Sequence, residues 1–346
     1  MIEVDKKELL SVLVPASNAL GRIMPIYENI LIAFNEKITA VSSNGEFQIV
    51  SGGDIEGDEI LVNGKKILNI VKNAASNKIK IDINDGHIIV KSGRGRNKIN
   101  TQDPTEFPII EPKGFIAEIG IEQLKLKHMI ASVKNSMAES DVRYFLNGLN
   151  IKGGERFVLT ATDGHRLAQI SAEIASVPFE CIIPRTSIAA IEKLLFSGLC
   201  TIKAYSSKLV IFTDTDSITI NLVDGNFPDT KPMLEQEKPN KILVNGKSLK
   251  SAISRTMISS GNEFRVDLDL SDKGIAILTT SKGEESSDFV EIESSNEGIE
   301  NTVLTISGQY INNALSDDVI EFNYGKSMES VNIISDANHI IMPMKR

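Results

Sequence analysis

One charged turn is the feature of this sequence whose residue types and spacing could do chemistry. It lies in the segment Thr160-Ala161-Thr162-Asp163-Gly164-His165-Arg166-Leu167-Ala168. Asp163 and His165 are two residues apart, so in an extended segment they point to the same face and could form an acid–base pair. The sequence offers no fitting nucleophile beside them. A capped structural turn between two apolar segments is the alternative, and the residues alone leave both hypotheses open.

A second acidic pair, Asp214 and Asp216, could hold a divalent metal beside a nucleotide sugar. This pair lies between the apolar segments Leu209-Val210-Ile211-Phe212 and Ser217-Ile218-Thr219-Ile220. Short polar segments between two such segments are typical of hairpin turns. The sequence therefore favours a hairpin over a metal-dependent sugar-nucleotide or phosphate enzyme built on this pair.

Gly246-Lys247-Ser248 resembles the end of a phosphate-binding loop. That loop needs a glycine five positions before its second glycine, and position 241 is lysine. The segment Leu61-Val62-Asn63-Gly64-Lys65-Lys66 also matches Leu243-Val244-Asn245-Gly246-Lys247-Ser248. The glycine and lysine therefore belong to a repeated strand-to-helix turn.

Metal and dinucleotide sites are also disfavoured. Ser92-Gly93-Arg94-Gly95-Arg96 lies between alternating segments and does not open a helix. The four histidines are scattered, and the two cysteines, Cys181 and Cys200, are too few and too far apart for a disulfide framework or a thiolate metal site. We expect no catalytic residue, no metal and no cofactor.

Composition limits the class of protein. The chain has 346 residues, of which 41% are hydrophobic, enough for two or three cores. The sequence contains no run of about 18 apolar residues, the length needed to cross a bilayer, and its start lacks the pattern of a signal peptide. A cytoplasmic protein is therefore expected. The net charge of -9 requires any site for nucleic acid to gather its positive charge locally.

The elements that must position these residues recur as one repeated unit. A short apolar strand is followed by a cap or turn residue and then by a helix with apolar residues at three- and four-residue spacing. The strands are Ile2-Glu3-Val4, Ile60-Leu61-Val62, Glu118-Ile119, Ile182-Ile183, Ile242-Leu243-Val244 and Val303-Leu304-Thr305-Ile306. The residues predicted to open the helices are Asp5, Asn63, Gly120, Pro184, Asn245 and Ser307, spaced 57 to 64 residues apart.

Six such units predict an α+β fold of three similar domains. Each unit has one helix and three or four strands, and one helix cannot cover its own sheet, so the units should pair around shared cores. Glu111-Pro112-Lys113-Gly114 and Glu237-Lys238-Pro239-Asn240 are polar, turn-forming links. The predicted domains are therefore residues 1–117, 118–240 and 241–346.

Four stretches, in this order, resemble signatures of the bacterial DNA sliding clamps, the beta subunit of DNA polymerase III. They are Asp141-Val142-Arg143-Tyr144-Phe145-Leu146-Asn147-Gly148, the segment Thr160 to Ala168, Leu222-Val223-Asp224-Gly225-Asn226-Phe227-Pro228-Asp229, and Ile340-Ile341-Met342-Pro343-Met344-Lys345-Arg346. The resemblance runs from end to end of the chain. It implies the DNA-clamp fold, with two copies joined head to tail in a ring around duplex DNA and no reaction catalysed.

The resemblance also implies partners and a hydrophobic pocket that receives their peptides. The partners are double-stranded DNA without sequence preference, the DNA polymerase III alpha subunit, the clamp loader, other DNA polymerases, ligase and mismatch-repair proteins. One half of the pocket should comprise Arg143, Leu146, Thr162, Gly164, His165, Arg166, Leu167, Pro228, Met233, Ile340 and Met342. The other half should comprise Phe145, Ser307, Tyr310, Met328, Ser330, Pro343, Met344 and Lys345.

Family positions also predict contacts to DNA and between subunits. The resemblance gives Arg22, Ser140 and Tyr144 as DNA contacts. The positive charge gathered on the helices adds Lys66, Lys72, Lys134, Lys193 and Lys250, which either face the hole and meet phosphates or belong to a solvated helix face. The dimer interface should include Asn97, Ile99 and Thr101 on one side and Met257 and Ile258 on the other. The sixth helix should be nearly neutral or acidic, because it carries Gln309, Asn312, Asn313, Asp317 and Asp318. A clamp-like scaffold that binds peptides without encircling DNA is the main alternative.

Overall fold

The computed structural model describes residues 1–259, 264–316 and 318–345, so Asp317 and Arg346 lie outside the described residues. The helices within these ranges are α1 (Lys6–Ala16), α2 (Gly64–Lys72), α3 (Gln123–Val133), α4 (Arg185–Leu194), α5 (Lys231–Leu234), α6 (Gly246–Thr256) and α7 (Gly308–Ala314). None of these helices is long and apolar enough to cross a membrane.

The strands make up most of the regular structure. The first thirteen are β1 (Ile2–Asp5), β2 (Asn29–Phe34), β3 (Ile38–Ser43), β4 (Phe47–Ser51), β5 (Asp58–Asn63), β6 (Lys78–Asn84), β7 (His87–Ser92), β8 (Gly95–Gln102), β9 (Phe115–Glu122), β10 (Gly148–Gly153), β11 (Phe157–Thr162), β12 (Arg166–Ala172) and β13 (Phe179–Pro184). The others are β14 (Leu199–Tyr205), β15 (Lys208–Phe212), β16 (Asp216–Asn221), β17 (Asn240–Asn245), β18 (Arg265–Leu270), β19 (Gly274–Ser281), β20 (Glu284–Glu291), β21 (Ser294–Ser295), β22 (Thr302–Ser307), β23 (Val319–Tyr324), β24 (Val331–Ile334) and β25 (Asn338–Ile341).

The order of these elements repeats one unit six times. One strand leads into one helix, and three strands follow before the next unit begins. Within the described residues, the short helix α5, the short strand β21 and several 3-10 helices are the only additions to this order. The repeated α+β organisation predicted from the sequence is therefore confirmed.

Side-chain caps begin several of the repeated helices. The carboxylate of Asp5 accepts a hydrogen bond from the amide of Lys7 at 2.8 Å. The amide oxygens of Asn63 and Asn245 and the hydroxyl of Ser307 accept from the third residue beyond each of them. A short polar side chain at this position satisfies an amide that the helix itself leaves without an acceptor. The repeated Asn-Gly-Lys turns are therefore helix starts, as the sequence predicts.

The predicted start of the third helix at Gly120 is wrong. Gly120 lies within β9, where it pairs with Thr201 of β14. Ile119 and Ile121 on either side of it are buried, the period-two pattern of a strand that continues. The helix α3 begins three residues later, at Gln123.

The chain forms two compact units. The first comprises Met1–Lys127, Ser176–Phe179 and Thr186–Leu222, and the second comprises His128–Ala175, Glu180–Arg185 and Val223–Arg346. These units do not test the three predicted domains, whose boundaries stay predictions.

The first unit contains a twelve-stranded sheet in the order β1-β6-β7-β8-β5-β2-β3-β4-β16-β15-β14-β9. Helices α1 and α2 bury Leu9, Leu13 and Ile67 in a core on this sheet. Ile99 of β8 also belongs to this core, so its side chain faces inward and not toward a dimer partner. The neighbouring Asn97 is exposed. The burial of Ile99 does not agree with the side-chain contact predicted for it, whereas Asn97 is exposed, and the interface itself stays a prediction.

The second unit contains a nine-stranded sheet, in the order β13-β10-β11-β12-β25-β24-β23-β17-β21, and a four-stranded sheet, β20-β19-β18-β22. The last strand, β25, lies between β12 and β24, with Leu167 opposite Ile340 and Ile333 opposite His339. The C-terminal end of the chain is thereby fixed beside the charged turn that follows β11. Helix α7 ends at Ala314, so Asp318 lies beyond the predicted sixth helix.

The buried imidazole of His339 predicts a loss of stability in acid. Burial, together with the nearby Arg166 cation, lowers the pKa of His339 from 6.5 to about 4. The folded state favours neutral imidazole, so this stability is fully present above pH 6.5 and is lost as the pH falls toward 4. The cost is about 3 kcal/mol across that window, since each pKa unit is worth about 1.4 kcal/mol. Urea unfolding at pH 7 and pH 4.5 measures it.

The substitution His339→Leu is the matched control, because leucine keeps an apolar volume in the sheet and cannot gain a proton. Wild type should lose about 2 to 3 kcal/mol more than the variant between the two pH values. Equal losses would show that His339 does not cause the acid sensitivity.

Candidate functional site

The charged turn between β11 and β12 is organised by hydrogen bonds within itself. The carboxylate of Asp163 accepts from the amides of His165 and Arg166, both at 2.9 Å, and from Nε of Arg166 at 3.0 Å. The hydroxyl of Thr162 donates to the carbonyl of Arg166 at 2.6 Å and accepts from the amide of Gly164 at 3.1 Å. Both oxygens of Asp163 thus fix the turn, which supports the capped turn over the acid–base pair.

Glycine is required at position 164 for two reasons. Its φ of +88° lies in the left-handed region that side chains disfavour. A β-carbon there would also meet the guanidinium of Arg143 at 3.0 Å. The turn can therefore pass closely under Arg143 only because residue 164 has no side chain.

Arg143 is itself held in place by Asp141. Its Nε and a terminal nitrogen donate to the two carboxylate oxygens at 3.0 and 2.8 Å. The hydrogen bonds from the Arg143 side chain and backbone lower the pKa of Asp141 to about 2. Asp141 is therefore ionised at neutral pH, and the planar guanidinium is positioned by a bidentate pair.

Arg166 connects the turn with α7. Its guanidinium lies 4.0 Å from the ring centroid of Tyr310 and pairs with Asp163. Burial and the negative charge of Asp163 raise the pKa of Tyr310, so the phenol stays protonated at neutral pH. The backbone of Arg166 is fixed in β12 and its guanidinium by Asp163 and Tyr310, so the aliphatic part of the side chain can form one wall of a binding site.

The C-terminal tail forms the opposite wall. The amide of Met342 donates to the carbonyl of His165 at 2.9 Å, and the amide of Met344 donates to the carbonyl of Thr305 at 2.7 Å. These bonds fix the tail at both ends, so its two methionine side chains, about a third exposed, are displayed to solvent. Methionine is a flexible thioether that adapts to different apolar ligands.

A cavity of about 190 Å³ lies between the turn, the tail and the segment before α5. Its lining combines polar groups of the charged turn with buried apolar side chains such as Leu146 and Leu167. The lining residues are Arg143, Leu146, Thr162, Gly164, His165, Arg166, Leu167, Pro228, Asp229, Thr230, Met233, Ile340 and Met342. These include every residue that the sequence predicts for the first half of the pocket. We call this cavity the apolar compartment.

A second cavity, of about 470 Å³, adjoins the first and shares His165 and Met342 with it. It is lined by His165, Phe264, Ser307, Gln309, Tyr310, Met342, Pro343, Met344 and Lys345. We call it the tail compartment. Five of the eight residues predicted for the second half of the pocket line it, namely Ser307, Tyr310, Pro343, Met344 and Lys345.

The other three predicted residues lie outside both compartments. Phe145 packs beside Tyr144 and Gly225 in the 3-10 helix Tyr144–Asn147. Ser330 is buried, and Met328 is exposed in the segment between β23 and β24. These three residues therefore do not line the two compartments, and their contact with a peptide stays a prediction.

Four lining residues were missed by sequence reasoning. Asp229 and Thr230 follow the predicted Pro228, Gln309 lies in the first turn of α7, and the carbonyl of Phe264 accepts a hydrogen bond from the amide of Gly308 at the start of that helix. Asp229 and Thr230 are polar, which predicts a loop after Pro228 but does not indicate a binding site. Phe264 has a φ of +49°, a backbone conformation that a phenylalanine in the sequence does not predict.

The predicted DNA contacts are mostly exposed cations. Arg22, Lys66, Lys72, Lys193 and Lys250 are exposed, as are Ser140 and Tyr144, whereas Lys134 is half-buried and makes contacts within the fold. Four further helix cations that the sequence offers are bound to protein groups. Lys6 donates to Ala74, Lys127 to Leu195 and Arg185 to Met137, and Arg255 pairs with Asp288.

The predicted dimer contacts differ in exposure. Asn97 and Ile258 are exposed and Thr101 and Met257 are half-buried, whereas Ile99 faces the core. Asn97 lies on a part of β8 that has no partner on the β5 side, because β8 pairs with β5 only through its last two residues, whereas Met257 and Ile258 lie in the 3-10 helix that follows α6, Met257–Ser259. A strand edge such as that part of β8 can add a strand from another chain.

The segment that resembles a phosphate-binding loop and the acidic pair Asp214 and Asp216 both have structural roles. Gly246-Lys247-Ser248 joins β17 to α6, and Asp214 and Thr215 lie in the hairpin between β15 and β16. Asp216 begins β16, where its carboxylate accepts a hydrogen bond from Ser51. In the described part of the chain, no group of three His, Cys, Asp or Glu side chains is placed to hold a metal ion.

Family models match most of the chain. Residues 1–111 match the N-terminal domain of the DNA polymerase III beta subunit. Residues 120–229 match the central domain of the same subunit.

Related proteins agree with these models. The Beta sliding clamp of Buchnera aphidicola subsp. Acyrthosiphon pisum is 30% identical over 274 residues, which cover 76% of this chain and 75% of the relative. That of Pseudomonas aeruginosa is 30% identical over 287 residues, which cover 78% of this chain and 77% of the relative. The crystal structure of the DNA polymerase III subunit beta from Pseudomonas aeruginosa matches with a TM-score of 0.92 at 26% identity, over 99% of both chains. By these matches, the chain belongs to the bacterial sliding clamps, the family of DNA polymerase III beta subunits.

Proposed function

We propose that two copies of this chain form a head-to-tail ring around duplex DNA and hold partner proteins by peptides that bind in the apolar and tail compartments. Family membership gives the general function, that of a processivity factor in DNA replication. The observation that carries the specific proposal is the apolar compartment, which is lined by all the residues predicted for it.

The compartments suit a short hydrophobic peptide. A concave apolar surface with a few fixed polar groups at its rim binds apolar side chains and orients them. Arg143 is held by Asp141 and its side chain is half exposed, so its remaining donors are available to peptide carbonyls without a large loss of side-chain entropy. The proposed partners are the polymerase III alpha subunit, the clamp loader, other polymerases, ligase and mismatch-repair proteins.

The proposed role is topological and not catalytic. The carboxylate of Asp163, which could have served in an acid–base pair with His165, is used to close the turn, and the exposed helix lysines suit phosphates without reading bases. We place the protein in the cytoplasm, because its proposed substrate, duplex DNA under replication, lies there in bacteria.

The apolar compartment predicts that Met342 contributes strongly to peptide binding. Met342 lines both compartments and is 39% exposed, so Met342→Ala removes an apolar contact without opening the core. The dissociation constant of a labelled peptide with a leucine and an aromatic anchor should rise about tenfold to a hundredfold. Fluorescence anisotropy measures this change.

Met328→Ala is the matched control. Met328 is 57% exposed and lines neither compartment, so its substitution should change the affinity less than about threefold. Equal losses in the two variants would remove Met342 from the site, and a larger loss at Met328 would restore the position that the sequence predicts.

The ring predicts a dimer that depends on Ile258. The side chain of Ile258 is 83% exposed in the single chain. In the proposed ring it packs against the first domain of the other copy. Light scattering at micromolar concentration should give about twice 37.8 kDa for wild type, and Ile258→Asp should give a monomer, because a buried unpaired carboxylate opposes the contact. Ile23→Asp, at a side chain that is 79% exposed, should remain dimeric. A strictly monomeric wild type at every concentration contradicts the ring.

Topological linkage predicts retention on circular DNA only. Contacts from lysines to phosphates weaken steeply as salt rises, so a short linear duplex should bind weakly and release the protein. A ring loaded on a nicked circle by a compatible clamp loader and ATP should survive the same salt, because leaving requires an interface to open. Linearisation should then release it, which gel filtration before and after cutting detects. Equal retention on both forms would indicate adhesive binding, whereas loading that fails with a dimeric protein would favour the peptide-binding scaffold.

A further inference from the structure

A third cavity adjoins the apolar compartment. It has a volume of about 560 Å³ and shares Pro228, Asp229 and Thr230 with the apolar compartment. The tail, apolar and third compartments are thus connected in series, since His165 and Met342 join the first two and residues 228–230 join the last two. A peptide that follows this series would leave the apolar compartment across the 228–230 wall.

The floor of the third compartment is a polar row on the sheet. Asn150 of β10 lies opposite Thr160 of β11, which lies opposite Gln169 of β12. The Asn150 side chain donates to Glu180 at 3.0 Å, and Gln169 donates to Thr160 at 3.0 Å. Most of the hydrogen-bonding groups of this row are thereby satisfied within the sheet.

One acceptor of the row has no protein donor. Asn150 lines the compartment and is only 5% exposed. Its Oδ1 atom is buried and accepts no hydrogen bond within the described residues. A buried acceptor without a donor costs about 1 to 3 kcal/mol, so a site that includes one favours a ligand that donates a hydrogen bond.

The charges around the compartment favour a positive ligand. Its charged lining residues are Lys152, Glu180, Asp229, Lys231 and Glu235, three acids and two bases. Lys152 pairs with Glu180 at 3.7 Å and Lys231 pairs with Glu235 at 3.6 Å. Asp229 has no ion pair within the described residues, and one of its oxygens accepts from the amide of Lys231. One carboxylate charge is therefore left unmatched on the wall shared with the apolar compartment.

We propose that the third compartment binds an arginine or lysine next to the apolar anchors of the partner peptide. The inference rests on the proposed peptide site, because the same peptide must occupy both compartments. The basic side chain crosses the 228–230 wall, pairs with the carboxylates and donates to Asn150. Val158, Phe227 and Leu234 also line the compartment and suit the aliphatic stem of a long basic residue.

The test compares extended peptides on the full-length protein. A bare anchor peptide is prepared with a flexible extension ending in two arginines, two glutamines or two glutamates, placed at either end. Competition anisotropy should show one of the two arginine extensions binding about five- to twentyfold tighter than its glutamine counterpart. The glutamate extension should give no gain over glutamine.

Protein variants separate local from overall charge. The double variant Glu180→Gln with Glu235→Gln changes two partly exposed side chains that do not line the apolar compartment. It should reduce the arginine advantage to less than about twofold and leave the bare peptide unaffected. Glu155→Gln with Glu173→Gln makes the same change in net charge at exposed positions outside the compartment and should retain the advantage.

The outcomes distinguish the two proposals. Equal affinities of the arginine, glutamine and glutamate peptides at both ends would overturn the third compartment alone. An arginine advantage that both double variants reduce equally would also overturn it, since overall charge would then be the cause. A bare peptide that fails to bind at all would overturn the proposed peptide site and this inference with it.

Discussion

The buried pair of Arg166 and Asp163 is the interaction on which the candidate site depends. Both side chains are largely removed from solvent, and the carboxylate also accepts the two amides that close the turn. Loss of one partner from such a pair leaves the other charge buried, at a cost of typically about 3 to 5 kcal/mol. The position of the turn, and with it the rim of the apolar compartment, is therefore set by one charge pair.

The same pair explains why distant parts of the sequence meet at this site. Arg166 lies opposite Ile341 in the sheet and under the ring of Tyr310, so one residue contacts the last strand and the helix before it. The tail beyond Ile341 then has no strand partner and is held by single backbone bonds from Met342 and Met344. A surface built this way is fixed along its backbone, while its methionine side chains keep their freedom to adapt to a ligand.

The fold could be predicted from the sequence where local chemistry determines it. Asn63 and Asn245 predict helix starts, because each combines a short polar side chain with a following glycine and an apolar stripe in the next turns, and all three favour a helix there. Gly120 failed because a glycine between isoleucines is read equally well as a helix start or as a strand position. The pairing with Thr201, eighty-one residues away, decides it, and a single sequence does not reveal that pairing.

The candidate site could be predicted only where the family resemblance supplied positions. Residue types alone left the Asp163 turn open between catalysis and structure, and only the bonds of both carboxylate oxygens favour the second. Phe145 and Met328 were predicted in the pocket by position and lie outside both compartments, since Phe145 packs against Tyr144 and Met328 is exposed between β23 and β24. Asn150 gave no signal, since its role follows from burial and an unused acceptor.

Net charge and local charge have opposite consequences in this chain. The total of -9 would repel DNA, yet lysines such as Lys66, Lys72 and Lys250 are exposed on helices, while Lys6 and Lys127 are bound to carbonyls of the protein itself. Weak, unspecific attraction of this kind could not hold a protein on DNA at physiological salt. The proposed ring supplies what this attraction lacks, because a closed path around DNA keeps a protein attached without high affinity.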